Sequence, residues 1–375
     1  MKKNAVICLI AMIVVCGALL CACDKTPSCP METDMSVDLT SDVGLYFFGD
    51  TYDDYVRYSH EMAGKYFDKT KPTMFYFHGW ATQEKQEGEI YAALHTNGPA
   101  SNAGARYIDY VEEFKQRGYN VCALDYCKYA MNLIKLADYI WASLDGGHSV
   151  ACRFAKEIAD CFQDYDQELR FFGHSYGAHS SVATAYLLYK MRDCGIVDGD
   201  CLPKRITLAD PYIGDFTLMV DDAFLSATID NVNEPVGGRT QTQVFADAIE
   251  YLHGKGVVID AYCAMPLAFD TYMTDDEEKH NELKAKLHRN GVWTVLEGCQ
   301  EAFGTVGDIH VIAEDWMFHS YFAPVKTYGD GFMPTAALSN EEMAKLIGRT
   351  YKSTYVGFDV ENDMLVETFD DESVQ

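Results

Sequence analysis

ELRFFGHSYGAHSSVATAY, residues 168–186, decides how the chain is read. A short apolar run, Glu168 to Phe172, leads into Gly173-His174-Ser175-Tyr176-Gly177. Small and apolar residues then continue with helical spacing to about Met191. Strand, serine, helix is the context a nucleophilic serine needs. The serine sits at a sharp turn in a strained conformation, where bulky neighbours at the glycine positions would clash. The helix that follows points its N-terminal N–H groups at developing negative charge. A Gly-x-Ser-x-Gly string without that context is a weak signal.

Outward from this stretch, strand-like and helix-like segments alternate. TMFYF (73–77), NVCAL (120–124), RITLA (205–209), VVIDAYCAM (257–265) and DIHVIAE (308–314) read as strands. RYIDYVEEFKQRG (106–118), the segments LIKLADYIWASL and HSVACRFAKEIADCF within 133–162, and QTQVFADAIEYLHG (241–254) read as helices. Short apolar runs separated by amphipathic helices predict the α/β class: a mostly parallel central sheet with helices on both faces. VGLYFFG (43–49) adds an antiparallel edge, and Ser339 to Glu342 forms a capping box that opens a helix to about Ile347. YVGFDV and MLVETF form a terminal hairpin around Glu361-Asn362-Asp363. One domain is expected over 43–370.

In such sheets, sites form beyond the carboxyl ends of the strands. TMFYF ends in His78-Gly79-Trp80, ELRFF in the Ser175 turn and RITLA in Asp210; His319 follows DIHVIAE by a few residues. A serine hydroxyl needs a base, and histidine has a suitable pKa. An acid must hold that histidine's tautomer. Ser175, Asp210 and His319 follow the order nucleophile, acid, base. Asp260, Asp270 and Asp125 are rival acids. His310 is a rival base, set aside because it begins its predicted strand and so falls at the opposite edge of the sheet. His174 and His179 read as packing or turn residues. Asp210 precedes Pro211, so a plain turn role also stands. The Tyr176 N–H and the Trp80 N–H are the expected oxyanion donors. No cofactor is required, and neither C-x-x-C nor H-E-x-x-H occurs to suggest zinc.

FHGW (77–80), NVCALDY (120–126), FGHSYGAH (172–179), ITLADP (206–211) and FHSY (318–321) resemble the lipase branch of the α/β-hydrolase fold, most closely the pancreatic-lipase-like family. The resemblance is good over about 70–215 and thin beyond. It implies an α/β-hydrolase fold and a secreted serine hydrolase acting on esters or lipids. It favours Asp210 over Asp260 as the acid, with Gly173, Gly177, His78, Gly79 and His174 as elbow and oxyanion-loop support. The family's cysteine and arginine around the histidine, its C-terminal β-sandwich and its disulfide-closed lid have no counterpart here. The charged helix at 274–290 reads as a solvated surface helix. Thioesterase, peptidase or acyltransferase chemistry on the same triad, or a binding module without catalysis, are the alternatives.

Lys2 and Lys3, then an apolar run from Ala5 to Leu20, then Leu20-Cys21-Ala22-Cys23, form a secretory signal over 1–23. The ending resembles a lipoprotein signal, which implies lipidation at Cys23, a membrane anchor and a cell-envelope location. Residues 24–42 read as a flexible tether. The chain carries 57 acidic against 30 basic residues; without residues 1–23 the count is 57 against 28, a net charge of −29. That charge disfavours nucleic acid and anionic headgroups as partners. Thirteen cysteines are present, nine of them beyond Cys23. Cys122 and Cys263 read as buried small hydrophobes, and Cys194 and Cys201 as a pair able to bridge in an oxidising compartment.

Overall fold

The computed structural model describes residues 43–59, 66–81, 90–95, 107–131, 140–141, 149–197, 199–212, 240–264, 277–297, 306–322, 327–328, 331–332, 337–355 and 366–373. The signal segment, Cys23, the tether, Asp270 and the predicted hairpin turn at 361–363 lie outside the described residues.

A ten-stranded sheet forms the centre. In chain order its strands are β1 (Gly44–Phe48), β2 (Tyr55–Arg57), β3 (Thr73–Phe77), β4 (Asn120–Asp125), β5 (Leu169–His174), β6 (Arg205–Ala209), β7 (Val258–Cys263) and β8 (Val292–Glu297), with β11 (Arg349–Tyr355) and β12 (Val366–Ser373). A separate two-stranded pair joins β9 (Thr327–Tyr328) and β10 (Gly331–Phe332). The spatial order in the large sheet is β12-β11-β8-β7-β6-β5-β3-β4-β1-β2. The run β4-β3-β5-β6-β7-β8-β11 is parallel throughout; β1 joins β4, β2 joins β1, and β12 joins β11 in antiparallel fashion. A mostly parallel sheet of this order, with helical crossovers, is the α/β-hydrolase arrangement. VGLYFFG does pair antiparallel, but β2 and not β1 is the outermost strand on that side.

The described helices are α1 (Tyr110–Gln116), α2 (Cys127–Ala130), α3 (Val150–Cys161), α4 (Tyr176–Asp193), α5 (Gln241–Gly254), α6 (Glu277–Asn290), α7 (Val306–Phe322) and α8 (Asn340–Ala344). Successive residues of a strand point to opposite faces, and here both faces are covered, so β3, β4, β5, β6 and β7 are buried at every position. On one face Phe75 and Phe77 meet Phe162 and Phe154 of the α3 region. On the other, Tyr76 and Phe172 meet Phe318 of α7, which also stacks on Tyr110 of α1. The capping boxes are local and legible: Thr240 and Gln243 open α5, Ser339 and Glu342 open α8. Helix α6 packs along α5, turning Leu283 and Leu287 inward, and Lys286 bridges to Asp247 and Glu250.

Two expectations change. VWTVLE (292–297) is a strand that the pattern reading passed over. DIHVIAE is not a strand at all but the opening of α7. Residues 312–318 of that helix are all buried, Glu314 and Asp315 included, so the segment shows no amphipathic period. A seven-residue apolar window within it cannot be told from a buried strand. At the C-terminal side β11 pairs antiparallel with β12, and β11 already begins at Arg349, ahead of YVGFDV, of which 356–360 lie outside the described residues. Cys122 and Cys263 are buried as expected. Cys194 is exposed and Cys201 is buried.

Candidate active site

Strand register brings the site together. Phe77 pairs with Gly173, and His174 pairs with Ala209. Two residues beyond the first pair, Gly79 meets Ser175, and one residue beyond the second, Ser175 lies beside Asp210. The Ser175 N–H donates to Ala209 O at 2.9 Å. Ser175 sits between β5 and α4 with φ 57° and ψ −124°, and Asp210 has φ 43°. Two non-glycine residues in the left-handed region, on adjacent strand ends, each cost about 1–3 kcal/mol, and such strain gathers at functional sites.

The flanking glycines follow from close approach. A Cβ on Gly177 would lie 1.9 Å from Phe77 O, and one on Gly173 would lie 2.5 Å from Gly177 O. A Cβ on Gly79 would lie 2.7 Å from Ser175 Cβ and 3.2 Å from Ser175 Oγ. The His78-Gly79-Trp80 loop therefore runs directly against the serine side chain.

Asp210 is fully buried and held from three sides. Its N–H donates to Tyr262 O at 2.7 Å, its Oδ1 accepts from the Ala264 N–H at 2.9 Å, and its Oδ2 accepts from His310 Nδ1 at 2.6 Å. With Nδ1 bonded to the acid, Nε2 is the nitrogen that remains for proton transfer. The His310 ring packs against the ring of His174, the residue before the serine, at 4.5 Å. His310 thus touches both neighbours of Ser175 in space: the acid beside it and the residue preceding it.

The histidine joined to Asp210 is His310, which the sequence reading set aside in favour of His319. Both histidines belong to α7, and nine residues separate them, which is about two and a half turns and about 14 Å along the helix axis. The acid's hydrogen bond goes to His310. Reading DIHVIAE as a strand placed His310 at the opposite edge of the sheet; as part of a helix it does not fall there. In the helix, His310 lies in the first turns, near the carboxyl edge of the sheet. The order serine, acid, histidine is unchanged. The signal that finds His310 is the strand at 292–297: once it is counted, His310 is the first histidine after it.

The rival acids have other partners. Asp260 is bidentate to Arg205 Nε and Nη2 at 2.8 and 2.9 Å and accepts from Thr207 Oγ1. Asp125 accepts from the Cys127 and Tyr91 N–H groups.

His78 orients the loop. Its Nδ1 donates to Gly79 O at 2.8 Å, while its Nε2 accepts from the Tyr126 N–H at 3.1 Å, so the ring is neutral with its proton on Nδ1. The ring stacks on Tyr126 at 4.1 Å, the Tyr126 hydroxyl donates to His78 O, and Ser180 Oγ donates to the Tyr126 hydroxyl at 2.9 Å. In a trans peptide the C=O and N–H point in opposite directions, so fixing Gly79 O fixes the Trp80 N–H. The Ala81 N–H is directed to Ala130 O. The Trp80 indole itself is 46% exposed. Tyr176 opens α4, where helix geometry leaves N–H groups without a carbonyl four residues back.

His179 is structural, as expected. Its Nδ1 accepts from Trp141 Nε1 at 3.2 Å and its Nε2 donates to Tyr212 O, two residues beyond Asp210. Burial pushes its pKa down to about 4. Among the described residues no cluster of metal-ligating side chains occurs.

No family model and no curated protein matches the chain. Solved structures do. Esterase B from Lactobacillus rhamnosis HN001 matches at 16% identity over 70% of this chain and 76% of its own, with a TM-score of 0.29. Acetyl xylan esterase 1 from Thermoanaerobacterium sp. JW/SL YS485 matches at 14% identity over 51% and 58%, TM-score 0.28. Brefeldin A esterase, described as a bacterial homologue of human hormone sensitive lipase, matches at 12% identity over 76% and 79%, TM-score 0.32. These neighbours are esterases of the α/β-hydrolase fold; a pancreatic-lipase-like family does not emerge. Likeness this distant carries no argument about chemistry, which rests on the site.

Proposed function

We propose that this chain is a serine esterase. Ser175 attacks the carbonyl carbon of a carboxylic ester as His310 Nε2 takes the hydroxyl proton. Asp210 holds Nδ1 and stabilises the imidazolium that forms. The Trp80 and Tyr176 N–H groups receive the oxyanion, each contributing about 3 kcal/mol of transition-state stabilisation. His310 returns the proton to the departing alkoxide oxygen, which leaves as the alcohol and an acyl-Ser175 ester. Water, deprotonated by His310, then releases the carboxylic acid and restores Ser175. The observation that carries this reading is the 2.6 Å bond from His310 Nδ1 to Asp210, formed beside a strained serine elbow.

The experiment is labelling by a fluorophosphonate probe together with hydrolysis of p-nitrophenyl esters of increasing acyl length. The wild-type chain labels and turns over, and Ser175→Ala does neither. A folded wild type that resists the probe and hydrolyses no ester contradicts the reading. The N-terminal pattern adds a second proposal: an exported chain, lipidated at Cys23 and held by that lipid at a membrane, with the soluble domain facing ester or lipid substrates. Radiolabelled palmitate incorporated into wild type and absent from Cys23→Ala supports it; equal incorporation, or none, contradicts it.

A further inference from the structure

The mechanism leaves one buried titratable group of the elbow unused. His174 precedes the nucleophile, and its ring is almost wholly enclosed. Its Nε2 donates to the backbone carbonyl of His310 at 3.1 Å. Its Nδ1 faces Glu314 Oε2 at 3.5 Å. Glu314 lies one helical turn beyond His310 on α7, is buried, and accepts a hydrogen bond from the Tyr76 hydroxyl through Oε1. Tyr76 belongs to β3, the strand that ends at the oxyanion loop.

We propose that Glu314 and His174 form a second acid–histidine pair that positions His310 from behind, through its backbone, while Asp210 holds it from the side chain. This assignment rests on the reading of His310 as the base.

The chemistry of the contacts requires a proton between the two groups. His174 Nε2 must carry hydrogen, because a carbonyl only accepts. Its Nδ1 then meets a carboxyl oxygen, and two lone pairs facing one another in a buried pocket repel. One proton on the pair removes that conflict, and with it the chain runs without a break: Tyr76 hydroxyl to Glu314, Glu314 to His174, His174 to His310 O. Burial, then the neighbouring His310 and His78, hold the His174 pKa well below the ordinary imidazole value. That favours the neutral ring of His174.

The geometry gives the pair a purpose. The base is the fifth residue of α7, and the bond from His174 Nε2 to its carbonyl ties the opening turns of that helix to the serine elbow. The bond to His310 O and the ring contact at 4.5 Å fix where the imidazole stands relative to the serine one residue away. Displacing a reacting group by about 1 Å costs about 100-fold in rate. His174 is therefore a positioning residue and not a catalytic one; it touches neither substrate nor the transferred proton.

The test compares His174→Phe, His174→Gln and Glu314→Gln in the full chain. Phenylalanine keeps the ring contact but loses the donor. Glutamine at 174 keeps a donor at the position of Nε2. Glutamine at 314 keeps an acceptor for Tyr76 and a donor for His174 Nδ1. Expected is a fall in kcat of about 10- to 100-fold for His174→Phe with KM within about twofold, partial recovery in His174→Gln, and a smaller loss in Glu314→Gln. The low-field proton NMR signal of the His310–Asp210 bond should shift or broaden in His174→Phe while thermal unfolding shows a folded domain. If His174→Phe folds, keeps wild-type kcat and leaves that signal unmoved, the positioning role is overturned. If His174→Phe does not fold, the same comparison is made on His174→Gln and Glu314→Gln: a shift of the signal in either supports the pair, and no shift in both overturns it. Failure of wild type itself to react with fluorophosphonate strikes the esterase reading instead, so the two outcomes are separate.

Discussion

Acid should loosen this fold through one identifiable histidine. His179 is enclosed between Trp141, Phe245 and Tyr176, with Nδ1 accepting from Trp141 Nε1 and Nε2 donating to Tyr212 O. Protonation puts hydrogen on Nδ1 and turns it against the Trp141 N–H. Burial accordingly lowers its pKa from 6.5 to about 4. The folded pKa lies below the unfolded one, so between these values the unfolded chain binds the extra proton. Stability then rises with pH across that window and falls as pH drops from about 6.5 to about 4. The full shift corresponds to about 3 kcal/mol, of which about 2 kcal/mol is lost by about pH 5. The assay is urea unfolding at several values between about pH 4.5 and 7.5, for wild type and His179→Gln. The variant lacks the titrating ring but keeps an amide donor and acceptor. Its stability should depend on pH less steeply, by close to one proton, or about 1.4 kcal/mol per pH unit. His174 is present in both proteins, so its contribution cancels in the difference. Parallel curves for the two proteins refute the reasoning. Because His179 anchors Tyr212, two residues from Asp210, esterase activity in wild type should fall over the same acid range.

Two further predictions separate roles that the sequence pattern alone confuses. Asp210→Asn should lower kcat by about 10³- to 10⁴-fold with the fold intact, because it leaves His310 in the wrong tautomer. Asp260→Asn should instead lower the unfolding free energy by about 3–5 kcal/mol, since it strands the buried Arg205 guanidinium; kinetics and thermal unfolding of both variants check the pair. Gly79→Ala should cost at least about 100-fold in kcat/KM, because the added methyl lands 2.7 Å from Ser175 Cβ and 3.1 Å from His174 O, neighbours that belong to the elbow itself. Near-normal turnover of that variant in an ester assay contradicts the close contact.

What the sequence could and could not reveal follows from burial. The elbow was legible because its demands are local: Gly177 is there since a Cβ would enter Phe77 O, and Ser175 since the turn needs a strained residue between a strand and a helix. The place of Asp210 was legible because it follows directly on the strand next to β5; the partner of Asp210 was less so. In helix α7 residues 312–318 are all buried, through nearly two turns, so the apolar residues recur there without a helical period, and the opening of the helix looks like the core strands 73–77 and 205–209. Only its length, Val306 to Phe322, distinguishes it. With Val292–Glu297 also passed over, the sheet seemed to end one element late, and the histidine bonded to Asp210 was set aside. The Glu314–His174 contact was beyond pattern reading altogether, since the two residues are 140 apart in sequence and meet only through the fold.

The central claim is that His310, held by Asp210, serves Ser175. It is tested most directly by measuring fluorophosphonate labelling rates of His310→Ala and His319→Ala beside wild type, with folding checked by circular dichroism. The account predicts that His310→Ala loses labelling by at least about 1,000-fold while His319→Ala keeps it within about tenfold. Rapid labelling of folded His310→Ala, with labelling abolished in folded His319→Ala, would contradict it.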